Sequence, residues 1–232
     1  MKTLKTILSA VLLGLCIGQA YAADAKEEVT DWPNLAAYRA SNVATGLPTK
    51  GEMRVVFMGD SITEFWTQSY WDKTHINRGI SGQTSPQMLL RFRPDVIALQ
   101  PKIVVIQAGT NDIAGNTGPA TNEMIVDNIA SMADLARAHH IQVVLASVLP
   151  AAGFYWNPQA KPAPQIADLN EKIKALAKVQ KLVYLDYYAA MVDERPGLKK
   201  DYSEDGVHPN EAGYKVMIAL VDRAIAAAAK RR

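Results

Sequence analysis

The stretch Val55-Val56-Phe57-Met58-Gly59-Asp60-Ser61-Ile62-Thr63 carries an apolar strand straight into a Gly-Asp-Ser turn. A serine at the carboxyl end of a strand stands at the sheet edge where open α/β folds bind ligands, and a helix beginning there aims its free amide groups at the same point. Gly-Asp-Ser is also an ordinary turn, so the tripeptide needs company. It has three companions: Asn77-Arg78-Gly79-Ile80-Ser81-Gly82, Gly109-Thr110-Asn111-Asp112 and Asp205-Gly206-Val207-His208-Pro209.

Working outward, short apolar runs recur at 53–58, 103–108, 141–149 and 182–185, with a weaker one at 75–79. Between them, residues 121–138 and 165–179 place apolar side chains at spacings of three and four, the pattern of helices with one buried stripe. A last helix is expected over 210–229, with Pro209 suited to its first position. Strands that alternate with helices predict a parallel sheet of about five strands covered on both faces, a three-layer α/β/α domain. The longest irregular stretch, 150–164, holds four prolines and Phe154-Tyr155-Trp156; a loop of that length in a compact domain usually has a function.

The 232-residue chain reads as one exported domain. Residues 1–22 have the form of a signal peptide: Lys2 and Lys5, an apolar stretch from Ile7 to about Ala20, and Ala20-Tyr21-Ala22 as a small-x-small cleavage site. The apolar stretch is short for a membrane span, so no stable membrane anchor is expected, and the product is secreted or periplasmic. The only cysteine, Cys16, follows Leu15 and lies in this segment, which leaves the mature chain without a disulfide or thiolate metal site. Residues 23–50 form a polar lead-in in which Trp32, Leu35 and Tyr38 could pack a short helix, and residues 51–232 form the domain proper. Removing Lys2 and Lys5 brings the 25 basic side chains level with the 23 acidic ones, so there is no basic excess to suggest a nucleic-acid partner. Oligomeric state is not legible. The carboxylates and histidines lack metal-motif spacing, and no metal or cofactor is expected.

A serine hydroxyl becomes a useful nucleophile when an imidazole takes its proton. Of the four histidines, His139 and His140 close a helix at the opposite sheet edge and His75 opens a strand. His208 remains, with Asp205 three residues before it, a spacing that lets the carboxylate reach the imidazole Nδ1. Asp-x-x-His also occurs at ordinary helix starts. Acyl transfer needs donors for an oxyanion as well: Asn111, beyond the 103–108 strand, has a side-chain amide at the correct edge, and Gly79 can present an unobstructed backbone amide. An Asx-turn at Asn111 and a tight loop at Gly79 and Gly82 are the plainer alternatives. Asp60 and Asp112 are read as holding their own turns.

The four blocks, in this order and spacing, resemble those of the SGNH (GDSL-type) hydrolases over most of residues 52–225. The resemblance implies a flavodoxin-like fold, a Ser61–His208–Asp205 triad, and an oxyanion hole at Ser61, Gly79 and Asn111. The run 77–85 and the following Arg91-Phe92 are similar to the branch that contains platelet-activating-factor acetylhydrolase subunits and secreted bacterial acetylesterases, which favours short acyl groups. The expected activity is therefore hydrolysis of short-chain, chiefly acetyl, esters of a saccharide or small molecule. Tyr155 and Trp156 would form a stacking surface for the leaving group, or else pin their loop to the core. The rival readings are a lysophospholipase or thioesterase acting on longer chains and a non-catalytic carbohydrate-binding protein.

Overall fold

The computed structural model describes residues 31–231 apart from Thr67 and Lys73. The expected signal peptide with Cys16, the start of the lead-in, and Arg232 lie outside the described residues. Five parallel strands form the sheet: β1 (Val55–Gly59), β2 (His75–Gly79), β3 (Ile103–Ile106), β4 (Gln142–Ala146) and β5 (Val183–Leu185), in the spatial order β2-β1-β3-β4-β5. Val55 pairs with both His75 and Ile103, which fixes β1 between its two neighbours. This is the flavodoxin-like order, and its switch point lies above the carboxyl end of β1.

The strands read as unbroken apolar runs because both sheet faces are covered. Val56, Met58, Val104, Ile106, Val143 and Leu145 join one core cluster, which also contains the buried faces of α3 (Ser85–Asp95), α5 (Asn122–Ala138) and α6 (Pro162–Val179). The alternating residues Val55, Phe57, Ile103, Val105, Val144 and Ala146 join the other, under α7 (Tyr187–Met191) and α8 (Glu211–Ala229). The three-layer expectation is met.

Several boundaries differ from the sequence reading. Helix α6 begins at Pro162, not 165, because Pro162 and Pro164 both fall in its first turn, where no backbone donor is needed. The 141–149 run pairs as a strand only as far as Ala146; beyond it Asn170 of α6 bonds both the N–H and the carbonyl of Val148 at 2.7 and 3.0 Å. Pro209 is not the first residue of α8, since Asn210 caps the helix by accepting from the Gly213 N–H.

In the lead-in, helix α1 (Arg39–Thr45) starts after the residues expected to pack it and buries none of its own. Trp32 and Leu35 remain exposed. The attachment is polar: the Tyr38 hydroxyl donates to Gly79 O, Arg78 lies over the Tyr38 ring, and Asn42 joins Asp95 and Arg78 at 2.7 and 2.8 Å. Helix α3 was not apparent from apolar spacing because Ser85, Arg91 and Asp95 share its buried face with Met88 and Phe92.

Candidate active site

Ser61 is the first residue of α2 (Ser61–Glu64), directly beyond β1. The turn is tight: a Cβ on Gly59 would lie 2.0 Å from Thr63 Oγ1. Asp60 caps α2, its Oδ1 accepting from the Ile62 N–H at 3.0 Å, in agreement with its expected turn-holding part. The last helix is tied to the same turn through the Tyr214 hydroxyl, which donates to Ile62 O at 2.9 Å.

The loop before α8 brings His208 over Ser61. Ser61 Oγ lies 2.9 Å from His208 Nε2, and His208 Nδ1 lies 2.7 Å from Asp205 Oδ2. The other Asp205 oxygen accepts the N–H groups of Val207 and His208, each at 2.8 Å, so the carboxylate is locked by its own turn. Burial opposes ionisation of Asp205, but the His208 ring and these two amides outweigh it and hold the carboxyl below its usual range. Asp60 is governed by the opposite balance. Burial raises its carboxyl to about 6 against the favourable Ile62 amide and His208, with Asp112 adding repulsion.

Asn111 lies in α4 (Thr110–Ile113) beyond β3 and is buried. Its Nδ2 is 3.1 Å from Gln83 O and 3.3 Å from Asp60 Oδ2, and its Oδ1 accepts from Asn116 Nδ2 at 2.9 Å. Asp112 does not organise its own loop. It reaches across to the start of α3, where both carboxylate oxygens accept from the Ser85 N–H at 3.0 and 2.9 Å.

Gly79 is not brought into the cleft. Its N–H donates to Asn77 Oδ1 at 2.8 Å, and a Cβ there would lie 2.3 Å from Glu64 N and 2.7 Å from Asp60 O. That glycine lets β2 pack against the backbone of the nucleophile turn. Gly82 lines the cleft instead, at φ +77°, where a Cβ would have only Asn116 Nδ2 near it, at 3.8 Å. Among the described residues, neither the Ser61 N–H nor the Gly82 N–H has a protein acceptor.

The cleft encloses about 200 Å³ between Ser61, His208, Asn111, Gly82, Tyr155 and Trp156. Tyr155 and Trp156 stand with ring centroids 6.5 and 6.4 Å from the His208 ring, and Phe154 stacks beneath Trp156 at 4.9 Å. Tyr155 also borders a wider groove of about 570 Å³ that runs past Pro158, Arg195 and Lys200. Sequence reasoning missed Phe65, whose ring is 5.5 Å from that of His208, and Asn116, which donates to Gly82 O and accepts from Trp156 Nε1. Phe65 carries no motif signal; Asn116 sits in a Gly-Asn-Thr-Gly stretch that reads simply as a turn.

A serine, histidine and carboxylate in line at the switch point of a doubly wound sheet are the layout of a carboxylic ester hydrolase. The chain belongs to the GDSL-like lipase/acylhydrolase family, whose model matches residues 57–216. A GDSL-like lipase of known structure from Bacteroides thetaiotaomicron is 50% identical, with a TM-score of 0.82 over 85% of this chain and 100% of that one. Among characterised sequences, an acetylxylan esterase of Xylanibacter ruminicola is 25% identical over 221 residues, covering 77% of this chain and 44% of its own length. Esterase TesA of Pseudomonas aeruginosa is 30% identical over 140 residues, 60% of this chain and 63% of the esterase. The chain thus spans less than half the length of the acetylxylan esterase. Family membership makes it a carboxylic ester hydrolase.

Proposed function

We propose that this chain is an exported serine esterase that removes short acyl groups, acetyl above all, from a saccharide or related small ester. The observation that carries the reading is the unbroken line Ser61 Oγ to His208 Nε2 to Asp205, at 2.9 and 2.7 Å, at the mouth of a small cleft. His208 Nε2 takes the Ser61 proton as Oγ attacks the ester carbonyl, and Asp205 stabilises the imidazolium from Nδ1. The oxyanion is held by the N–H groups of Ser61 and Gly82 and by Asn111 Nδ2, which shares the hydrogen of its long contact with Asp60. Gly82 replaces Gly79 in this reading. His208 then returns the proton to the leaving alkoxide, and a water, deprotonated by the same imidazole, releases the acid from Ser61.

Two features support the substrate class. A volume near 200 Å³, bordered by Asn111 and Gly82, suits an acetyl or other short acyl group. The exposed face of Tyr155, shared with the wider groove, suits a sugar ring on the leaving-group side. The acetylxylan esterase relative is consistent with both.

Ser61→Ala and His208→Ala should abolish p-nitrophenyl acetate hydrolysis while the fold is retained, and an organophosphonate should add once, to Ser61, by intact mass. Esterase activity in a folded Ser61→Ala protein would end the serine-hydrolase reading. Activity undiminished beyond butyrate would favour a long-chain lysophospholipase or thioesterase. Export rests on residues 1–22, and intact-mass measurement of the exported protein should give Ala23 as its first residue.

A further inference from the structure

Asn116, in the turn after α4, uses every polar atom of its amide on parts of the cleft. Its Nδ2 donates to Asn111 Oδ1 at 2.9 Å and to Gly82 O at 3.1 Å, and its Oδ1 accepts from Trp156 Nε1 at 3.2 Å. A side-chain amide has two N–H donors, so Asn116 keeps none in reserve for a substrate. Its influence falls on Asn111. The two ends of an amide have nearly the same shape, and only the neighbours determine which end faces which way. A donor placed on Asn111 Oδ1 acts together with the acceptors Gln83 O and Asp60 Oδ2 to keep Nδ2 on their side, while the same Asn116 holds the carbonyl of Gly82, the other loop that borders the nucleophile.

We propose that Asn116 is a positioning residue: it sets the orientation of the Asn111 amide and ties the oxyanion donors to Trp156 of the leaving-group loop. The inference rests on the reading of Asn111 as an oxyanion donor. Trp156 carries no other hydrogen bond among the described residues, so this amide is the indole's one polar link to the oxyanion donors, beside the Phe154 ring stacked beneath it and the bond from neighbouring Asn157 to Ala114 O at 3.0 Å. Asn116 is exposed at the rim, so its replacement leaves the core untouched.

The test compares kcat and KM on p-nitrophenyl acetate for Asn111→Ala, Asn116→Asp and Asn116→Ala, with Ser61→Ala as the inactive reference. Asn111→Ala should lower kcat about a hundred- to a thousandfold. Asn116→Asp keeps an acceptor for Trp156 but sets a carboxylate oxygen against Asn111 Oδ1 and Gly82 O, which repels both and displaces the Asn111 amide from its place beside Gln83 O and Asp60. Its kcat should fall to within about tenfold of the Asn111→Ala value with KM changed less than about threefold, as for an interaction made only in the transition state. Asn116→Ala removes the donor without opposing charge and should lose distinctly less, and it keeps the question answerable if the aspartate variant does not fold. Equal losses in both Asn116 variants that track their melting temperatures would overturn the proposal, since a merely structural residue behaves that way. So would an unimpaired Asn116→Asp beside a crippled Asn111→Ala. An unimpaired Asn111→Ala beside an inactive Ser61→Ala would instead refute the oxyanion reading and take this inference with it.

Discussion

Replacing Arg91 with methionine should cost about 3–5 kcal/mol of stability, although the residue lies outside the cleft. Arg91 is completely buried and has three partners: Asp95 Oδ2 at 3.1 Å, Gly59 O at 3.0 Å, and Gln83 Oε1. Methionine fills much of the same volume, so cavity formation contributes little and the loss falls on the acceptors. Gln83 Oε1 would lose its arginine donor, at about 1–3 kcal/mol for a buried polar group, while Gly59 O would keep the Ile80 N–H at 3.1 Å; among the described residues the Asp95 carboxylate would keep only Asn42. Replacing Asp95 with leucine in the same chain removes the stranded charge. The double variant should then be more stable than the sum of the two single changes by about 1–3 kcal/mol. Urea unfolding of parent, singles and double, fitted with a common slope, reads all four values. A cost below about 1 kcal/mol for Arg91→Met, or strict additivity in the double variant, would refute the argument. The catalytic consequence runs through Gln83, whose backbone oxygen holds Asn111 Nδ2, so a folded Arg91→Met protein should also lose turnover.

Three further outcomes follow from the same geometry. Burial raises Asp60 to about 6 from an unfolded value near 3.8, so the folded chain holds a proton that the unfolded chain has lost between those values. The stability from that proton is complete below about pH 4 and is lost as pH rises through about 6. Asp60→Asn should flatten this slope, a difference of up to about 3 kcal/mol in urea titrations between pH 4 and 7; parallel slopes would mean that Asp60 is ionised throughout. Gly79→Ala drives a Cβ onto the Glu64 and Asp60 backbone and should cost more than about 4 kcal/mol or prevent folding, whereas Gly82→Ala meets only its left-handed φ and should cost about 1–2 kcal/mol by thermal melts. Similar melting temperatures for the two would show that β2 relaxes away from the nucleophile turn. Trp156→Ala should raise KM for acetylated saccharides while leaving the acetate-to-butyrate ratio on p-nitrophenyl esters nearly constant; a shifted ratio would place the indole against the acyl group.

The parts of this molecule legible in its sequence are those in which one local signal coincides with one physical need. The strand runs were readable because a parallel sheet buried on both faces admits few polar residues. The Asp205–His208 spacing was readable because a turn of that length brings carboxylate and imidazole together whatever surrounds it. Helix α3 failed the apolar-stripe test because three of its buried positions are polar, although Thr84, Pro86 and Gln87 already marked a helix start: Gln87 accepts from the Thr84 backbone, and Pro86 lies in the first turn. A capping signal should therefore outweigh a weak stripe when a polar residue such as Arg91 can find buried partners. Gly79 and Gly82 differ in a way that no local signal records. Both glycines lie in the same short stretch, and either could present a bare amide; what separates them is that Asn77 reaches two residues along its own chain to take the Gly79 N–H while α2 packs against that glycine's α-carbon. Neither contact leaves a periodic trace, because one is a side chain turning back on its own backbone and the other joins segments that only the closed sheet brings together. Among the described residues the amide of the two that no neighbour claims is the one at Gly82, and a sequence records the residues that make contacts more readily than the amides left without one.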